Sequence, residues 1–216
     1  MQKIIYLVLC VILIFSNQLI ANSDIKFDRN SPIGYWMTVS DQKVDGKRVV
    51  QSIVKIFPDK RSPNILHGNI LVPFVKIVDG KKRIPDIVCG MCKGELRDKP
   101  MVNFPIIQNL QKSSSSSSAG SIIYKHGSVI DPSNGKSYRL RIWTENNGKE
   151  LRVRGYVMFL YRTQTWYKLD ETLAFKYLKK CGLADDDTRF MYTNLKGVVN
   201  NKKLWEYCSN ISNLEI

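Results

Sequence analysis

Between Ile33 and Leu169 the chain is written in short β-forming runs, each cut off by turn residues, and this pattern limits the fold more than any other feature. The runs are GYWMTV, SIVKIF, ILHGNILV, MVNFPIIQNL, SIIYKHGSVI, SYRLRIWTE, ELRVRGYVMFL and RTQTWYKL. In the second, Ser52, Val54 and Ile56 alternate with Ile53, Lys55 and Phe57, the period of two that sends successive side chains to opposite faces of a strand. No helical period runs through this stretch. The connections carry turn chemistry: a polar, glycine-containing link at Asp45 to Lys47, DPSNGKSY with Asn134 ahead of Gly135, and ENNGKE with Asn147 and Gly148. Asn and Gly tolerate positive φ, so these segments read as hairpin turns. Strands joined in succession by hairpins form a meander, and a meander hides its edges by closing on itself. The expected fold is therefore mainly β, an antiparallel up-and-down barrel of about eight strands. Pro105 predicts a bulge or weak pairing in its strand. The run Ser113 to Ser118 reads as a flexible, solvated loop tip.

The two ends of the chain differ from this middle. Residues 1–21 have the layout of a secretory signal: Lys3, an apolar run from Ile4 to Phe15, polar residues at Ser16 to Gln18 and a small residue at Ala21. The polar interruption argues against an uncleaved spanning helix, which needs about 20 apolar residues. The processed chain is expected to begin near Asn22, with a linker over 22–31, and to be periplasmic or secreted. Its formal charge falls from +14 to +13, because Lys3 is the one charged residue removed. No later segment is apolar for long enough to cross a bilayer as a helix. Beyond Leu169 the period changes. DETLAFKYLKKCG places Leu173, Tyr177, Leu178 and Cys181 on one helical face with Gly182 as a stop, and NNKKLWEYCSNI gathers Leu204, Trp205, Cys208 and Ile211 near one stripe. Residues 170–216 thus read as a small helical extension to a barrel domain spanning 32–169. Its modest stripes suit packing on the barrel or on each other better than lying on a membrane. Since every expected strand lies upstream, a chain ending at Leu169 is expected to keep the barrel.

So basic a chain favours anionic partners. Export argues against nucleic acid and for an anionic envelope surface, although a soluble cationic surface with no partner is the plainer reading. Enzyme chemistry is thin. His67 and His126 each sit in a strand-like run beside a glycine, with no acid or base partner visible. DDDT at Asp185 to Thr188 lacks the interrupted spacing of a calcium loop and reads as a helix cap. There is no phosphate-binding glycine loop, no G-x-S-x-G and no H-E-x-x-H, so the reading is non-enzymatic and no cofactor is implied.

Cys89 and Cys92, in VCGMCKGELRDKP, have a spacing shared by zinc knuckles, thiol oxidoreductases and structural disulfides. Cys10 leaves with the signal, and Leu9 before it argues against lipidation. Four cysteines then remain, an even number in an oxidising compartment, which points to two disulfides with three possible pairings. Zinc would need a second C-x-x-C or a histidine pair, and the separation of Cys181 from Cys208 supplies neither. A redox enzyme would set the pair at a helix N-terminus behind a strand, whereas these lie in a loop between expected strands. A structural clasp is the expected role.

Six motifs in order, GYW, SIVKI, CGMCKGEL with KP, GSVIDPSNGKSY, LRVRGY and RTQTW, resemble the bacterial secreted family called domain of unknown function 2147, over about residues 32–168. The resemblance implies a lipocalin-like, calycin-type barrel exported to the envelope and brings no established activity. In such barrels a G-x-W on the first strand plugs one end and an arginine from the last strand lies across the indole, which implicates Gly34, Trp36 and Arg162. Gln164 and Trp166 fall on the same side as Arg162 by alternation and are candidate lumen or ligand contacts. Cys89 and Cys92 belong to the family core while Cys181 and Cys208 belong to the extension, so Cys89–Cys92 with Cys181–Cys208 is the simplest pairing. The chain departs from the family pattern in the bulky VMFLY at Val157 to Tyr161, in the serine run, and in everything from Asp170 onward. Three functions follow as expectations: a barrel holding a small apolar or amphipathic ligand, an envelope interaction or structural module with a filled barrel and a basic surface, or a thiol redox role for the C-x-x-C. Lumen volume separates the first two, because bulky inward side chains leave no room whereas a cavity of at least ~300 Å³ would admit a ligand.

Overall fold

The computed structural model describes residues 30–116, 120–184, 189–194 and 196–211. The signal segment, most of the 22–31 linker and the DDDT stretch lie outside these residues. The barrel strands are β1 (Gly34–Val39), β2 (Val50–Pro58), β3 (Ile65–Pro73), β6 (Phe104–Ser116), β7 (Ile122–Asp131), β8 (Lys136–Glu145), β9 (Glu150–Val157) and β10 (Leu160–Leu169). Between β3 and β6 comes a small ribbon of β4 (Lys76–Val78) and β5 (Lys81–Arg83), which the alternation did not announce because it is short and mostly cationic. Two helices end the chain, α1 (Glu171–Cys181) and α2 (Lys202–Ser209).

The eight strands close into an antiparallel barrel in which each pairs with its neighbours along the chain. β10 returns to β1, setting Trp36 opposite Lys168 and Met37 opposite Tyr167. This is the up-and-down barrel expected from the turns. Pro105 stands beside a register shift between β3 and β6, as its missing N–H requires. Ser117 and Ser118 of the serine run lie outside the described residues, and the rest of the run departs from expectation. Ser113 to Ser116 continue β6, with Ser116 paired to Ile122, because the ladder is made by backbone groups that serine carries like any other residue. Val157 to Tyr161 do not all extend one strand either. Met158 and Phe159 form the tip of a hairpin, and Leu160 and Tyr161 open β10.

Alternation along the strands builds two cores. Inside the barrel, Trp36, Val54, Leu66, Phe104, Ile107, Leu110, Leu140, Ile142 and Trp166 meet in one buried cluster. Outside it, Tyr35, Met37, Ile53 and Val72 face the other way and join Phe74 and Leu169 in a second cluster, covered by Ala174, Tyr177 and Cys181 of α1 together with Phe190, Tyr192 and Cys208. The extension therefore lies against the outer wall of β1 to β3. Asp170 caps α1 by accepting from the backbone N–H groups of Thr172 and Leu173 at 2.8 and 3.3 Å. The buried stripe is Ala174, Tyr177 and Cys181, whereas Leu173 is exposed: the helix face is rotated one residue from the expected one, because alanine allows the closest approach to the wall. Tyr35 Oη donates to Glu171 Oε1 at 2.8 Å, which ties β1 to α1. Burial, and then the Glu171 carboxylate, push this phenol up to about 12.

Candidate functional site

Trp36 lies in the interior cluster near the end of the barrel where β1 begins. Its indole is fully buried, Nε1 donates to the Pro32 carbonyl at 2.7 Å, and Thr144 Oγ1 donates to the Asn30 carbonyl at 2.9 Å as the chain enters β1. A cation does lie over the indole, but it is Lys168, with Nζ 4.4 Å from the ring centre and donating to the Ile33 carbonyl at 2.7 Å. Arg162 is not part of the plug. It lies six residues away along β10, exposed near the opposite end and ion-paired with Asp41. The cause is the register, which sets Lys168 and not Arg162 opposite Trp36. Gly34 makes room for this cation: its φ is +129°, and a Cβ there would come within 2.5 Å of Lys168 Nζ. Burial pulls the Lys168 ammonium down from 10.5 to about 8.

Trp166 is inward and buried, and its Nε1 donates to Gln164 Oε1 at 3.3 Å. Gln164 Nε2 in turn donates to Asp41 at 3.1 Å. These two residues sit on one side of β10, Trp166 in the core and Gln164 at the rim, near a buried hydrogen bond of 2.8 Å between Thr38 and Ser52.

The second end is covered by the cysteine loop. Cys89 and Cys92 are disulfide-bonded with Cα atoms 5.4 Å apart, and both are almost wholly buried, at 1% and 2% exposure. The loop rests on the β7–β8 turn so closely that a Cβ on Gly135 would fall 1.8 Å from the Met91 carbonyl oxygen. Leu96 and Met101 pack from the loop onto the interior cluster. Cys181 and Cys208 form the other disulfide, joining α1 to α2 at a Cα separation of 5.7 Å.

The outer wall of β8, β9 and β10 carries a basic and aromatic belt that motif reasoning passed over. Arg141 and Arg154 stand opposite each other in register, and their guanidinium groups lie 5.2 and 5.0 Å from the Trp143 ring centre. Like charges so placed repel, and the aromatic face between them offsets that repulsion. Arg154 also lies 4.4 Å from the Tyr161 ring centre and donates to Thr163 Oγ1 at 2.8 Å. Arg152 donates to Glu145 at 2.7 Å and to Thr165. Burial pushes the Glu145 carboxyl up, but hydrogen bonds from Trp143 and Arg152 outweigh it and hold the group below its ordinary value. The signal was present in YRLRIW and LRVRGY, where alternation puts Arg139 and Arg141, and Arg152 and Arg154, on one face.

His67 has a partner that sequence spacing hid, Asp59 at 3.4 Å across the β2–β3 turn. Asp59 is exposed, and the backbone N–H groups of Arg61 and Ser62 hold its carboxyl below the ordinary value before His67 adds to the effect. This pair shapes a turn. Among the described residues, no three His, Cys, Asp or Glu side chains gather as a metal site, and no helix is long and apolar enough to cross a membrane.

No curated protein matches the chain. A solved structure described as protein HP1028 from the human pathogen Helicobacter pylori, belonging to the lipocalin family, is similar to it at 19% identity, covering 79% of this chain and 97% of that one with a TM-score of 0.47. The sequence profile of a bacterial family spans residues 34–168, from the first residue of β1 to the penultimate residue of β10, and leaves the helical extension outside. The chain thus belongs to the family described as uncharacterized protein conserved in bacteria, DUF2147.

Proposed function

We propose that this protein is an exported, non-enzymatic envelope protein that acts through its outer surface, with its barrel filled by its own side chains. The observation that carries this reading is the single buried cluster running from the Trp36 plug, through Leu66, Ile107 and Leu140, to the Cys89–Cys92 loop at the other end. Large aromatic and branched side chains from facing strands meet there, and packing of that kind supports a filled barrel over one shaped around a ligand. Export is supported by the layout of residues 1–21 and by two disulfides, which persist in oxidising compartments. A redox role for the C-x-x-C is disfavoured by its burial, because thiol exchange needs an accessible sulfur. The outer surface is instead the chemically distinctive part, with arginines stacked on aromatic rings along one wall.

Native mass spectrometry of protein purified from its host envelope tests the reading. The expected spectrum is that of the bare chain with two disulfides. A retained small molecule at one per chain would overturn the filled-barrel reading and hand the function to a ligand-binding barrel.

A further inference from the structure

We propose that the β9–β10 hairpin is a membrane-docking finger that inserts its tip into an anionic phospholipid surface. This deepens the surface-acting reading above and rests on it. The finger is Val157 to Tyr161, five consecutive large apolar side chains that are all exposed, with Met158 at 77% and Phe159 at 82%. The other exposed large apolar residues are scattered along the chain. Such a cluster on a chain otherwise rich in charge marks an interaction surface.

The backbone of the tip supplies independent support. Met158 has φ +54°, a left-handed conformation that a two-residue turn normally gives to Gly, Asn or Asp. The other loop tips of this chain obey that rule, with positive φ at Asp45 and Gly46, at Asp79 and Gly80, at Gly135, and at Asn146, Asn147 and Gly148. Among the described residues Met158 is the one apolar side chain held at positive φ. Turn geometry therefore does not call for methionine and phenylalanine here; an apolar partner does.

Charge identifies that partner. Arg139 donates to the Met158 carbonyl at 3.3 Å, Arg154 lies over the Tyr161 ring, and Arg162 is exposed on β10 beside the tip. Arg154 and Arg162 each stand four residues from Met158, roughly 13 Å along a strand. An interfacial element buries its apolar part about 5 to 10 Å into the headgroup and acyl boundary, which would bring these guanidinium groups level with lipid phosphates. Arg162 is shared with Asp41 and Arg154 acts at a distance on the Glu145 carboxylate, whereas Arg139 donates to a backbone carbonyl. A second copy of the chain fits less well: two tips meeting would cover far less than the roughly 1,000 Å² of a stable protein interface, and their arginine collars would repel.

The test uses the full chain as its host exports it, mixed with vesicles of phosphatidylcholine alone or with about one third phosphatidylglycerol. Co-sedimentation is expected with the anionic vesicles and is expected to weaken with salt, since the collar acts through exposed charge. Replacing the tip by Met158→Gly with Phe159→Asn puts glycine at the positive-φ position of the two-residue turn, so the fold should be kept or stabilised while vesicle binding falls at least about tenfold. A Phe159→Trp variant should show fluorescence that brominated acyl chains quench. Equal binding by the Gly-Asn variant, no binding by the unaltered chain, no quenching of the introduced indole, or self-association lost with the tip would each overturn the finger. A small molecule retained in native mass spectrometry would instead overturn the filled barrel and leave the vesicle result standing, so the two failures are distinguishable.

Discussion

At the scale of single residues, the plug around Trp36 shows how a buried cation is accommodated. Lys168 places its ammonium between the indole and the Ile33 carbonyl, in space that exists because Gly34 has no Cβ. The aromatic face and the carbonyl favour the charged form, yet loss of hydration is the largest effect and brings the group down to about 8. The sign for stability follows from linkage. Below about pH 8 the ammonium is charged in both states, and its burial is a cost to the folded one. Between about 8 and the ordinary lysine value of 10.5, the folded chain has released the proton while the unfolded chain still holds it, so stability rises with pH through that window. Denaturant titrations of the wild type and of Lys168→Met from pH 7 to 10 isolate this group. The expected difference grows above pH 8 in favour of the wild type; parallel curves would mean that Lys168 ionises as an ordinary lysine.

At the scale of elements, the extension and the barrel share a core. Tyr35, Met37, Ile53 and Val72 alternate outward from β1 to β3, and the helices with Phe190 and Tyr192 cover them. Sequence periodicity suggests that a chain ending at Leu169 keeps its barrel, because all strands lie upstream. The packing leads to the opposite expectation. Removal of residues 170–216 would expose this apolar wall at a cost of roughly 25 cal/mol for each Å² returned to water, which few single domains withstand. Amide exchange on residues 22–169 should therefore reveal a molten or insoluble product, while native-like protection throughout the strands would mean that the extension is a separable appendage. The Cys181–Cys208 bond joins residues 27 apart and closes a loop worth about 3 to 4 kcal/mol in the chain-entropy account, enough to hold two short helices that would be marginal alone.

At the scale of the whole molecule, a closed barrel has no free edge, and the filled interior proposed above leaves the outside for recognition. The helical extension covers one side and the arginine belt with its apolar hairpin occupies another. This division suits the surface-acting role proposed above. It depends on export, and the expected processed N-terminus lies near Asn22, without lipid. N-terminal sequencing of the protein from its native host checks it, and an intact Met1 in a membrane fraction would remove the oxidising compartment on which the disulfide argument stands.

The class, the barrel's strand count and its closure are legible in local period and turn chemistry, because these act over a few neighbouring residues. The sequence also placed both helices within a residue or two, through Asp170 and Gly182 at the ends of the first. Tertiary structure alone decided which cation crosses Trp36, since Arg162 and Lys168 lie on the same side of β10 and only the register with β1 chooses between them. It decided likewise that the outward faces of β1 to β3 are a second core, because alternation says which residues share a face but not what will cover it. The finger was in view as an unusual VMFLY, yet it took the hairpin to show that Met158 and Phe159 are its tip and that Arg139, distant in sequence, stands beside them. Pairing brings together residues that the chain keeps apart, and recognition depends on those pairings.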